Sequence, residues 1–184
     1  AGVMLRLIYQ AMKSKGVDTD AIFSRLGVDE EYVYTDQLRT PHSAQLFFWQ
    51  VVEDVTDDPD IGLHLGQAIP VYKGQVLEYL FLSSPTFGEG LRRAQNYQRL
   101  LSDAAKTDFE ILGDEACLIV DTASDEVSRL KHFNECFIQG LTHFFKSITG
   151  GEFHPSRIEF EHDRTERQDY VRQILDCDVR FGCR

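Results

Sequence analysis

The sequence predicts an α+β fold: an N-terminal helical layer followed by a small mixed sheet packed on a long helix. Three observations carry that expectation. Apolar residues recur at three- and four-residue spacing as far as Ser102, the period of a buried helix face. The pattern then switches to alternation, first at Phe109 and Ile111 with Leu118 and Val120, and again over residues 157–162. Between these stretches runs one long apolar stripe, Leu130, Phe133, Phe137, Leu141, Phe144 and Ile148. A chain of 184 residues can bury one sizeable core, and it is expected to form a single domain over 1–184.

Residues 3–15 read as a helix, with Leu5, Ile8 and Met12 on one face and Gly16 as its C-terminal cap. Asp18 and Asp20 introduce a short helix through Leu26, closed by Gly27. Residues 28–39 read as a loop with one extended piece. Thr40 or Ser43 caps the next helix, where Phe47, Val51 and Val55 share a face with Phe48 and Val52 beside them. Asp58-Pro59 marks a helix entry, because proline presets φ and needs no donor in a first turn, and residues 60–67 form the short helix that follows. Residues 74–82 are strongly apolar and predict a buried helix. Pro85 keeps Ser84 out of the helical region and stops it. Thr86 and Glu89 have capping-box spacing at the start of a helix over 86–102, striped by Phe87, Leu91, Ala94, Tyr97 and Leu101.

The alternating segments around Gly113-Asp114-Glu115 predict a β-hairpin. A long helix over 128–148 ends at Gly150-Gly151. Ile158, Phe160 and His162 then form the inward face of a strand. Residues 164–175 read as a helix and 178–183 as a final strand. The charge-rich run 152–169 reads as a wet surface laced by i,i+4 pairs.

Formal charge is −11, from 30 acidic against 19 basic side chains. That balance argues against this segment gripping nucleic acid or an anionic membrane, both of which need clustered Lys and Arg. No apolar run is long enough to span a bilayer, and no signal peptide is apparent. Cys117, Cys136, Cys177 and Cys183 form no Cys-x-x-Cys pair, so reduced, mostly buried thiols in a cytoplasmic protein are expected. There is no His-Glu-x-x-His, Gly-x-Ser-x-Gly, phosphate-binding loop or dinucleotide fingerprint. The chain is not expected to be an enzyme, and no cofactor or metal is expected.

The run Asp58-Pro59-Asp60-Ile61-Gly62-Leu63-His64-Leu65-Gly66, followed by Ser84-Pro85-Thr86-Phe87-Gly88-Glu89-Gly90-Leu91, resembles one branch of the AraC-type transcription regulators. That branch includes ornithine-utilisation and quorum-related regulators and carries D-P-x-x-G-L-x-L-G and S-P-T-x-x-E-x-L runs in its N-terminal effector-binding domain. Phe153, Ile158, Phe160, His162, Tyr170 and Val179-Arg180-Phe181 fall in the order of the family's F-x-P-x-x-V-x-F-x-H … Y … V-x-F stretch, with Ile158 where the family has valine. The resemblance implies a C-terminal pair of helix-turn-helix motifs, absent from this chain, through which DNA is bound. It implies that this segment binds a small-molecule effector, dimerises, or both, shifting the DNA-binding part between states.

Candidate effector-binding residues come from the second half. His132, Cys136, Gln139 and His143 form a polar stripe beside the apolar one that includes Phe133 and Phe137, a pattern suited to a mostly apolar pocket with a few orienting groups. The same stripe also reads as an ordinary boundary face. Phe160 and His162 point inward from their strand, and Tyr97 offers a phenol with a polar tip; Tyr9, Tyr72 and Tyr79 share that chemistry. Arg92, Arg93 and Arg99 read as a solvated face. The Phe-rich helix favours an apolar or amino-acid-like effector over a sugar, since Trp49 lies in an otherwise apolar helix. Two alternatives stay open: a ligand-free interaction or homodimerisation module, and a metal or haem sensor using His132, His143 or His162.

Overall fold

A computed structural model describes residues 2–35, 44–70, 76–97, 105–122 and 124–183. Helix α1 (Gly2–Ser14) is followed by α2 (Thr19–Leu26). Ala21 N–H donates to Asp18 Oδ1 at 3.0 Å to cap α2, and Gly27 ends it at φ 71°, a conformation that glycine adopts without a Cβ clash. Within the segment that reads as a loop, Glu30–Tyr34 forms a 3-10 helix, and residues 36–39 lie outside the described residues. The first carboxylate of the 3-10 helix holds it in place. Glu30 accepts hydrogen bonds from Thr19 Oγ1 at 2.5 Å and Tyr9 Oη at 2.9 Å, with Lys13 Nζ 3.1 Å away. Those partners pull the turn onto α1 and α2.

Helix α3 (Ala44–Thr56) turns Phe48, Trp49, Val51 and Val52 inward. Phe47, expected on the buried face, is 53% exposed. Helix α4 (Ile61–Ala68) crosses α8 (Lys131–Ile148) at very short range. A Cβ on Gly62 would lie 2.6 Å from His132 Cα, and one on Gly66 2.6 Å from the Cys136 carbonyl oxygen. Both glycines therefore serve close backbone approach as well as helix formation. Helix α5 (Val76–Leu82) was expected to be buried all round. It buries Leu77 and Phe81 and leaves Val76, Tyr79 and Leu82 exposed. Helix α6 spans Phe87–Tyr97, and Glu89 N–H donates to Thr86 Oγ1 at 3.2 Å, one of the two hydrogen bonds of the capping box that the sequence predicts. Thr40, Ser43, Tyr72, Arg99 and Leu101 lie outside the described residues.

Strands β1 (Ala105–Leu112) and β2 (Glu115–Thr122) form the expected antiparallel hairpin, with Leu112 opposite Glu115 across Gly113 and Asp114. The expected long helix is α8, which begins at Lys131, and a break separates it from a short preceding helix, α7 (Asp125–Ser128). At the break, Asn134 Nδ2 donates to the carbonyls of Val127, Ser128 and Leu130 at 2.9, 2.9 and 2.8 Å. The Leu130 and Val127 carbonyls also accept backbone N–H groups, from Asn134 and Leu130 at 3.1 Å each, so the amide reinforces the turn between the two helices. Strand β3 (Arg157–Glu159), helix α9 (Gln168–Leu175) and strand β4 (Asp178–Arg180) form a β-α-β unit whose strands run parallel.

The α+β class holds. Among the described residues the four strands do not join in one mixed sheet, however; they make two separate two-stranded ladders. Two cores follow from that split. The larger joins α1–α6 to α8 and includes a set of rings, Phe81, Phe87, Phe144, Phe145 and Phe153, with centroids 5.1–5.7 Å apart. The smaller is Leu63 from α4 with Phe160, Val171, Leu175 and Val179. No helix among the described residues is long and apolar enough to cross a membrane.

Candidate functional site

Where α5, α6, the hairpin and α8 meet, the apolar faces leave a narrow, partly open cavity of about 60 Å³. Leu77 and Phe81 of α5 with Leu91 and Ala94 of α6 form one wall. Ala105, Thr107 and Leu118 bring the hairpin over it, and Phe137, Leu141, Phe144 and Phe145 of α8 form the floor. Gly90 makes the wall possible, because a Cβ there would sit 2.5 Å from Phe81 Cδ1 and push that ring out. The hairpin is held by its neighbours on α6: Gln95 Nε2 donates to the Thr107 carbonyl at 3.2 Å, and the Arg92 guanidinium stands 5.4 Å over the Phe109 ring. A larger depression of about 550 Å³, mostly open to solvent, lies beside Val28, Tyr32 and Tyr34.

Of the nine residues expected to bind an effector, Phe137 alone lines this cavity. His132, Cys136 and Gln139 are buried on the face of α8 that meets α4. Gly62 N–H donates to His132 Nδ1 at 3.3 Å, and His132 Nε2 faces Glu53 Oε2 at 2.8 Å. The imidazole is thus a bridge between α3, α4 and α8. Burial lowers its pKa below the ordinary histidine value, partly offset by Glu53. Burial likewise pushes the Cys136 thiol far up, leaving an unreactive, un-ionised group. His143 follows, half-buried. Phe133 is in the larger core, 6.4 Å from Phe137 and nearly parallel to it. Phe160 and His162 belong to the second core and its border, where Phe160 stacks on Phe181 at 5.6 Å. Tyr97 is 47% exposed on α6. The cavity follows the apolar stripes of α6 and α8, while the polar stripe between them became a helix–helix contact.

The charge-rich run expected to be a wet surface supplies a buried cation. Arg164, 8% exposed, reaches Glu135 Oε1 at 2.5 Å through NH1 and Asp60 through NH2. Arg167 Nε is 2.5 Å from Asp60 Oδ2, and His162 Nε2 is 3.2 Å from Glu135 Oε1. Burial works against the Arg164 cation, but the Glu135 and Asp60 carboxylates raise its pKa above the ordinary arginine value. The sequence carries no local sign of this cluster, because Asp60, Glu135 and Arg164 belong to three different segments. Among the described residues no three His, Cys, Asp or Glu side chains converge as metal ligands do.

Fold and cavity together define a small α+β domain that closes helices and a hairpin over an apolar cavity. The chain belongs to the family of the N-terminal arabinose-binding domain of AraC transcription regulators, whose model matches residues 16–184. It is therefore a regulatory, effector-binding type of domain concerned with transcription, in a family that is in general non-enzymatic. No curated protein matches it significantly.

Burial of His132 and the hydrogen bonds to Glu30 make acid the domain's weak side. His132 has a depressed pKa in the fold, so its contribution is present above the unfolded value near 6.5 and is lost as pH falls below it. Hydrogen bonds from Thr19, then Lys13 and Tyr9, lower Glu30 from 4.5 to about 2, so its contribution is lost between those values. Urea midpoints are expected to stay level from pH 8 to 7, decline below pH 6.5 and fall more steeply below pH 4.5. In His132→Gln the first decline should disappear while the second remains.

Proposed function

We propose that this domain senses a small apolar or amphipathic molecule in the cavity between α5, α6, the hairpin and α8, and that occupancy alters DNA binding by a C-terminal helix-turn-helix part of a cytoplasmic regulator. The observation that carries the reading is the lining itself: ten apolar side chains with Thr107 as the only hydroxyl. A sugar would need several fixed hydrogen-bonding partners, which this lining lacks. The family's arabinose label therefore does not extend to the effector here. The cavity of about 60 Å³ is smaller than the roughly 300 Å³ at which small-molecule sites begin. Binding accordingly requires the hairpin to swing away from α8. The hairpin is suited to this, because its tip residues Ile111 and Leu112 are 60% and 59% exposed and pack against little. The Asp58 to Gly66 and Ser84 to Leu91 runs support placing the chain in the ornithine-utilisation and quorum-related branch.

Thermal unfolding in the presence of medium-chain fatty acids, aromatic amino acids and pentoses tests the reading. A ligand at 100 times its Kd is expected to stabilise the fold by about 2.7 kcal/mol, a rise of roughly 5–10 °C at this size. Leu118→Trp, which fills the cavity from the hairpin side, should abolish the rise while the far-ultraviolet circular dichroism stays unchanged. Silence across the whole set would instead favour an interaction module. The exposed stripe Val76, Tyr79 and Leu82 on α5, at 51%, 64% and 64%, supports that second reading, with a second copy of the domain as the partner.

A further inference from the structure

We propose that Tyr170 is a nucleophilic phenol, activated by His64 and Asp58, that accepts an acyl group from an activated donor of the acyl phosphate class. The three side chains come from two segments far apart in sequence. Asp58 precedes α4, His64 lies in α4, and Tyr170 lies in the first turn of α9. Asp58 Oδ2 is 2.5 Å from His64 Nδ1, and His64 Nε2 is 2.7 Å from the Tyr170 hydroxyl. The carboxylate is itself fixed, since its Oδ1 accepts the Asp60 N–H at 2.9 Å. A nucleophile within hydrogen-bond reach of a base, with that base oriented by a third group, is the arrangement that activates hydroxyls for acyl transfer.

The geometry assigns the protons. A carboxylate accepts only, so Nδ1 carries the imidazole hydrogen and donates to Asp58. Nε2 is then an acceptor, and the Tyr170 hydroxyl donates to it. The Arg167 guanidinium lies 4.5 Å over the Tyr170 ring and is held there by Asp60, placing a fixed positive charge beside the phenol as it becomes phenolate. Access is open: the Asp58 and His64 side chains are each 24% exposed, and Tyr170 is half-buried. A purely structural tie between α4 and α9 would need only the histidine and the phenol. The carboxylate at Nδ1 adds what a base needs, a partner for the imidazolium.

In the step itself the Tyr170 proton passes to His64 Nε2 and the phenol oxygen bonds to the acyl carbon. The bond from that carbon to the phosphate oxygen breaks, phosphate leaves with the electron pair, and the imidazolium returns a proton to it or to water. The product is an O-acyl tyrosine and inorganic phosphate, with no oxidant or further reactant. The acylated oxygen has no hydrogen to donate, so the α4–α9 link through His64 is lost. Acylation would thereby loosen the β3-α9-β4 unit without involving the effector cavity.

The test uses acetyl phosphate on the 184-residue protein, with O-acetylation mapped by peptide mass spectrometry and checked by its reversal with hydroxylamine. Tyr34 and Tyr79, 57% and 64% exposed, are the references within the same sample. Tyr170 is expected to react on the order of 100-fold faster than either, the scale of a positioned general base. That preference should vanish in His64→Ala and return on adding free imidazole, an outcome that a structural role for His64 would not produce. Asp58→Asn should reduce the preference while leaving the two reference rates unchanged. His64→Gln repeats the comparison if the alanine variant does not fold. Equal rates at Tyr170, Tyr34 and Tyr79, or a preference that survives loss of His64, would overturn the proposal.

Discussion

Gly62→Ala is expected to lower the unfolding free energy by about 2 kcal/mol or more, although alanine is the better helix former by roughly 1 kcal/mol. The added methyl would lie 2.6 Å from His132 Cα on α8. Its neighbour is backbone, so no rotamer change relieves the overlap and the two helices must separate. Separation also breaks the bond from Gly62 N–H to His132 Nδ1. Gly66→Ala should behave alike, meeting the Cys136 carbonyl at 2.6 Å. Gly88 on α6 is the control: a Cβ there meets the Phe109 ring at 3.8 Å and the Arg92 guanidinium at 4.0 Å, both ordinary contacts. Gly88→Ala should be neutral or stabilising by up to about 1 kcal/mol. Urea unfolding of the three variants checks the set, and a Gly62→Ala variant as stable as the parent would show that α4 and α8 are not in backbone contact.

Arg164→Met should be the most damaging single change, costing about 3–5 kcal/mol. It removes the cation between Asp60 and Glu135, whose side chains are 1% and 0% exposed. Two carboxylates buried at that depth then have Arg167 and His162 as their remaining partners. The loss comes mostly from the charges left behind rather than from the worth of the ion pairs themselves. The triple variant Asp60→Asn, Glu135→Gln, Arg164→Met should therefore recover much of the stability that Arg164→Met loses. Arg167→Ala should cost far less, because that side chain is 48% exposed and solvent screens its pair. Chemical denaturation of the three variants tests the ordering. A triple variant no better than Arg164→Met would mean that the cluster stabilises the fold by pairing and not by avoiding stranded charge.

Some of the site was legible before the fold was known. The Phe87, Leu91 and Ala94 stripe, the alternation through Phe109 and Leu118, and the Phe137, Leu141 and Phe144 stripe each identify an apolar face. Those faces do meet around the cavity. The polar stripe misled because periodicity reports which residues share a face and not what that face meets. His132, Cys136 and Gln139 share one, and α4 fills it. The signal for that contact was in the sequence as Gly62 and Gly66, one turn apart. Read locally they are only the weak points of a short helix; read against α8 they are the places where two backbones touch.

The sequence by itself determined the class of fold, the hairpin with its Gly113-Asp114 turn, the helix caps at Asp18 and Thr86, and the family. All of these rest on interactions within a few residues of one another, or on ordered motifs. Tertiary structure alone decided that the strands form two ladders instead of one sheet, that α5 exposes Tyr79, and that Arg164 is buried between Asp60 and Glu135. It also decided that His64 joins Asp58 to Tyr170. Each of these depends on which segments, a hundred residues apart in two of the cases, come to share one environment. A one-dimensional pattern records the period of a side chain but not the partner it will find.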